Sequence, residues 1–294
     1  MTLTRRQLAL ALALTPGIGG KTISRAMTRN DLLGRSPQDF LKLGPEALVE
    51  DYRFTRAGAT TWWTGQKERL AAAERLQARL DPHGVTMVTS ADASYPERIE
   101  LYDPAPPGLL YFYGNLKLLQ ADTFAVLSSR GTSEAGMTQI ERATEEHVLL
   151  GRILVSGHDT PEYQRSAVVP LRWGAPRILV LDTGLFHALG EELNEEPFRA
   201  ARLWRYKFDP QTDLAVSTVN PETPFHRESN RIRDRLVGSL ATRIDGIEVK
   251  PGGNMHRLAT LALRAGRPVR ILPGSASAEA LSAIGATPLT LAER

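Results

Sequence analysis

Two hydrophobic rhythms divide the chain. Over residues 1–84, apolar positions recur at helical spacing in Ala-, Leu- and Arg-rich segments, at 5–14, 20–28, 38–51 and 55–83. Further on, short continuous apolar runs take over, at 124–127, 153–155, 178–181, 214–216, 244–249 and 269–272. Runs without polar alternation predict strands buried on both faces, as parallel strands are. The stretches between them, notably 133–150, 161–173, 228–241 and 253–266, are long enough for crossover helices. The pattern predicts an α/β protein in two domains. A small helical domain (1–84) precedes a doubly wound, mostly parallel Rossmann-like sheet (85–294).

The helical part breaks at Pro16-Gly17-Ile18-Gly19. Such a break suits a helix-hairpin-helix or SAM-like module, where glycines admit a DNA phosphate close to the backbone. A plain glycine-capped connection between helices is the simpler and favoured reading. Trp62 and Trp63 are expected in the core or in packing rather than as a base-stacking platform. Arg5 and Arg6 before the apolar run Leu8 to Leu14 imitate a signal peptide. That run is short and leads into Pro16-Gly17 rather than a small-residue cleavage site. No stretch approaches the ~18 apolar residues of a membrane span, so a cytoplasmic protein is expected.

Composition alters this picture little. The 294 residues include no cysteine, which rules out disulfides and thiolate metal sites. The six histidines lack metal-ligand spacing, so no metal and no cofactor is expected. The net charge of +3 is mild, and a local cluster would say more than the total.

Ligands of open parallel sheets bind outside the carboxyl ends of the strands. Four such ends here share one character: Ser128-Ser129-Arg130-Gly131-Thr132-Ser133, Ser156-Gly157-His158-Asp159, Asp182-Thr183-Gly184 and Glu248-Val249-Lys250-Pro251-Gly252-Gly253-Asn254. Small residues that expose backbone N–H groups at a helix start suit an anion, and the helix dipole adds to the effect. None of these turns is a P-loop or a GxGxxG fingerprint. A second concentration of cations follows Phe225, where Arg227, Arg231 and Arg235 stand at four-residue spacing. A helix would align them beside an apolar stripe of Ile232, Leu236 and Leu240 that docks on the sheet. Arginines near a phenylalanine suit a nucleic-acid strand. A solvated face laced with Glu228 and Asp234 reads equally well from spacing alone. No catalytic constellation emerges. His158 and Asp159 are mere neighbours, the G-x-S-x-G elbow is missing, and Glu248 reads as ordering its loop.

These motifs, in this order, resemble the DNA-processing protein A family (DprA, also called Smf) over about residues 85–275. Ser94-Tyr95-Pro96-Glu97 and Pro107 to Asn115 resemble its opening segments, and Val126 to Arg130 its "IVGSR" turn. Val155-Ser156-Gly157 is similar to the start of "SGLARGID", and Val180 to Gly184 to "VLGTG". Phe225 with Asn230-Arg231 resembles "FPxRNR", and Glu248 with Gly252-Gly253 resembles "VEA…SGSL". Ala265 to Val269 with Pro273-Gly274 closes the match, while Pro16 to Gly19 holds the place of the helical module.

The resemblance implies a non-enzymatic, homodimeric protein that protects single-stranded DNA. It would load a RecA-type recombinase during natural transformation or recombination. Carried over by position, it implies a nucleic-acid site at Ser129, Arg130, Phe225, Asn230, Arg231, Lys250, Gly252, Gly253 and Asn254, to which the strand ends add Ser128, Ser156 and Gly157 and the arginine row adds Arg227. Departures stand out: Leu127-Ser128 replaces Val-Gly, His158 to Glu162 replaces the Arg- and Asp-bearing stretch, and Ser229 replaces the first Arg of RNR. The alternative is a nucleotide-binding or phosphoribohydrolase protein of the LOG type. Pro251-Gly252-Gly253-Asn254 imitates that family's loop, but Met255-His256-Arg257 lacks its continuation. A structural partner protein that kept the fold and lost the ligand is the third possibility.

Overall fold

The structure, a computed structural model, describes residues 3–198, 201, 206–225 and 229–291. The chain forms two compact units, Met1–Tyr95 with Pro106–Phe112, and Pro96–Ala105 with Tyr113–Arg294.

The first unit holds helices α1 (Arg5–Ala13), α2 (Gly20–Leu33), α3 (Pro37–Leu41), α4 (Pro45–Glu50) and α5 (Arg56–Leu80), then strand β1 (Thr86–Thr89). Local chemistry sets their starts. Thr4 and Gln7 make a capping box for α1, Ser36 and Thr55 cap α3 and α5, and prolines open α3 and α4. The single helix expected over 38–51 is therefore two, split before Pro45. Phe40, Tyr52 and Trp62 are buried and in ring contact, while Trp63 is 45% exposed. The turn between α1 and α2 packs backbone on backbone. A Cβ on Gly20 would meet the Leu109 amide at 3.0 Å, and Gly58 of α5 lies against the Gly17 carbonyl. These contacts favour the plain-connection reading for Gly17 and Gly20.

Helix α6 (Glu97–Tyr102) leads to β2 (Leu109–Gly114), which pairs antiparallel with β1, Thr86 opposite Phe112. The second unit then alternates β3 (Thr123–Leu127), α7 (Glu134–Leu149), β4 (Ile153–Ser156), α8 (Pro161–Trp173), β5 (Arg177–Leu181), α9 (Leu185–Leu189) and β6 (Leu214–Ser217). It continues with α10 (Ser229–Leu240), β7 (Arg243–Gly246), α11 (Asn254–Arg264), β8 (Val269–Ile271), α12 (Ala278–Ser282) and β9 (Thr287–Pro288). Seven of its strands lie parallel in the order β6-β5-β4-β3-β7-β8-β9. Helices α7 and α8 pack together against β3 and β4, while α6, α10 and α11 pack on one another. Phe124, Val126, Ile140, Leu154 and Ile247 centre one core between sheet and helices. This is the doubly wound sheet that the apolar runs predict.

Strand order reverses direction between β3 and β7, the place where open sheets leave a crevice. The run 244–249 is not all strand: the β7 ladder ends at Gly246, and Ile247 to Val249 carry the chain into that crevice. Among the described residues no helix is long and apolar enough to cross a membrane.

Candidate nucleic-acid interface

The loops after β3 and β7 bind each other. Ser129 N donates to the Glu248 carbonyl at 3.0 Å, and Lys250 N donates to Ser129 Oγ at 2.9 Å. Lys250 Nζ donates to the Arg130 carbonyl at 2.9 Å. Ser128 is buried, its hydroxyl sharing a hydrogen bond with Thr132 Oγ1 and accepting one from Glu248 N. Beside these loops runs an open groove of about 420 Å³, lined by Ser129, Arg130, Asn230, Arg231, Lys250 and Asn254 among others. Gly252 (φ +67°) reverses the chain so that Gly253 can start α11 at the groove wall. No side chain caps that helix start.

Arg130, Arg231 and Arg257 are exposed on this groove with no acidic partner among the described residues. Arg257 escaped the sequence reading. The signal for it was three-residue spacing from Asn254, which puts both on one side of α11. A second groove of about 490 Å³ shares Arg231, Asn254 and Arg257 and continues past Ile232 and Arg235. The arginine row thus behaves differently from its spacing. Arg231 has no acidic partner among the described residues, whereas Arg235 is 3.3 Å from the buried Asp103. Arg227 lies outside the described residues. Ile232, expected to dock on the sheet with Leu236 and Leu240, is only partly buried in that second groove.

The β4 and β5 ends do not line the groove. Ser156 is buried at the end of β4, and a Cβ on Gly157 would lie 2.6 Å from Arg233 Nη1. Arg233 itself is buried, ion-paired to Asp159 and Asp234 and lying 4.8 Å over the Tyr163 ring. Asp234 also accepts from Tyr163 Oη at 3.0 Å and from Asn254 Nδ2 at 2.6 Å. Burial pushes the Asp234 carboxyl above its ordinary value against the pull of Arg233. The network therefore fixes Asn254 at the groove from beneath. His158 Nε2 stands 3.1 Å from Asp182, also below the surface. Phe225 is half exposed and is not among the groove residues.

Residues 86–287 match the family model described as DNA recombination-mediator protein A. DNA processing protein DprA of Streptococcus pneumoniae is 30% identical over 193 residues, 63% of this chain and 61% of that protein. The matched stretch thus spans about three fifths of that relative's length. The X-ray structure of DNA processing protein A from S. pneumoniae has the same fold, with a TM-score of 0.71 at 21% identity over 99% of this chain and 96% of that one. DNA processing protein A from Helicobacter pylori, known for its single-stranded DNA binding mode, follows with a TM-score of 0.53 at 17% identity over 70% and 90%.

Proposed function

The chain belongs to the DNA recombination-mediator protein A family, and from that premise we propose that it binds single-stranded DNA along the groove between the β3 and β7 loops. One observation carries the reading: Arg130, Arg231 and Arg257 converge there without acidic partners among the described residues, and the carboxylate on the groove wall, Asp234, is already paired with the buried Arg233. Exposed guanidinium groups spread along an open groove fit the repeated phosphates of a strand, each able to hold a phosphate through paired N–H donors. Lys250, Ser129, Asn230 and the Gly252-Gly253-Asn254 turn complete the wall. The continuation past Arg235 lengthens the path beyond one nucleotide. In keeping with the family's description as a recombination mediator, a homodimer then passes the bound strand to a RecA-type recombinase, with no catalytic step.

Fluorescence anisotropy with labelled oligonucleotides at several salt concentrations tests the reading. Affinity should fall steeply with salt, and each of Arg130→Ala, Arg231→Ala and Arg257→Ala should reduce the salt slope by about 1. The loss should be the same for all base sequences. Binding indifferent to salt and to all three substitutions overturns it.

A further inference from the structure

The loop from Ser128 to Ser133 has the backbone of an anion site, yet its donors are already used. Gly131 (φ +79°) turns the chain so that successive N–H groups point to one side. Glu162 Oε1 accepts from Gly131 N at 2.9 Å and from Thr132 N at 3.4 Å. Glu248 Oε2 accepts from Ser133 N at 3.0 Å, and its other oxygen accepts from the Ser133 hydroxyl. Two carboxylates thus occupy the start of α7.

Both are built in. Glu162 is buried, held in the first turn of α8 behind Thr160 as cap and Pro161, so it lies near the positive ends of two helices. Glu248 reaches its place because residue 136 is glycine: a Cβ there would stand 2.5 Å from Glu248 Oε1. The Ser133 hydrogen bonds hold the Glu248 carboxyl below its ordinary value, so it is charged at neutral pH. A phosphate entering the loop would have to expel these oxygens, leave Glu162 buried and unpaired, and sit beside two like charges.

We propose that Glu162 and Glu248 are specificity-determining residues that fill the phosphate seat of the β3–α7 loop from within and so exclude phosphate monoesters and free nucleotides from it. The strand proposed above is then held by side chains such as Arg130 rather than by the N–H groups of Gly131, Thr132 and Ser133. The inference does not depend on DNA binding, because inorganic phosphate alone tests it.

The full chain is titrated with inorganic phosphate and with adenosine monophosphate into the millimolar range, following the amide resonances of Gly131, Thr132 and Ser133. In the wild type these resonances stay put. In Glu162→Ala they shift on titration, with phosphate affinity at least about tenfold higher, a difference of ~1.4 kcal/mol. Glu162→Gln keeps a carbonyl acceptor while losing the charge, and its gain should be smaller. Wild-type shifts at these amides overturn the proposal even if the alanine variant does not fold. So does a folded Glu162→Ala that gains nothing.

Discussion

Two arginines of the second unit show how one residue type serves opposite ends. Arg257 is exposed at the groove with no acidic partner among the described residues, whereas Arg177 is wholly buried at the start of β5. Its guanidinium bridges Glu196 and Asp213, the latter at 3.0 Å, and lies 5.7 Å from the Phe198 ring centroid. Burial pushes both carboxyls upward, and the cation between them opposes that rise. Removing the cation leaves two buried carboxylates facing each other. Arg177→Ala should therefore cost about 3–5 kcal/mol in urea unfolding. The triple replacement of Arg177, Glu196 and Asp213 by apolar residues of similar volume should cost far less, because no buried charge is then left unpaired. Equal costs would mean that the arginine acts by bulk alone. Arg257→Ala should leave stability within about 0.5 kcal/mol while weakening DNA binding.

At the scale of elements, α10 contains a glycine that helix propensity alone would remove. Gly238→Ala in an exposed helix interior gains about 1 kcal/mol. Here α6 crosses close by, and a Cβ on Gly238 would collide with the Tyr102 hydroxyl. That hydroxyl donates to the Leu258 carbonyl of α11 at 2.8 Å, so it cannot simply rotate away. Gly238 is thus the point where three helices meet. Overpacking of this kind costs about 1–3 kcal/mol, which exceeds the propensity gain. Gly238→Ala should lower the melting temperature, and Gly238→Ala with Tyr102→Phe should recover part of the loss. A melting temperature raised by the single substitution would show that α6 yields at this crossing.

Over the second unit as a whole, a charge cluster centred on the buried Asp245 ties helix α7 to strands β7 and β8. Asp245 of β7 accepts from His147 Nε2 of α7 at 2.9 Å and from Arg270 of β8 at 2.6 Å, and His147 stacks on Phe124. Burial would raise the Asp245 carboxyl, but the His147 and Arg270 hydrogen bonds outweigh it and hold the group below its ordinary value. A carboxyl depressed in the folded state stabilises above its unfolded value, and that contribution fades as pH falls through the folded value. The stability gap between wild type and Asp245→Asn should be widest near neutrality. It should close only below the ordinary carboxylate range, about pH 4. Urea unfolding of both proteins across that range measures it, and a gap that does not change with pH would refute the linkage.

The hydrophobic pattern, together with run length and the turn residues between runs, determined the architecture, because strands buried on both faces leave short continuous apolar runs. The runs at 124–127, 153–155, 178–181 and 214–216 each sit inside a parallel strand, and the stretches 133–150 and 161–173 hold the crossover helices α7 and α8. Of the residues that the family resemblance implied, Ser129, Arg130, Asn230, Arg231, Lys250, Gly253 and Asn254 lie along one groove in the fold. Tertiary structure decided the rest. Which arginines are free depends on where the carboxylates fall: Arg233 meets Asp159 from a loop 74 residues away, while Arg257, not foreseen, meets none among the described residues. The same holds for the β3–α7 loop. Gly and Ser mark it as an anion seat, but Glu162 and Glu248, distant in sequence, already fill it. Local spacing reports backbone shape, and only the packed fold reports which partner reaches it first.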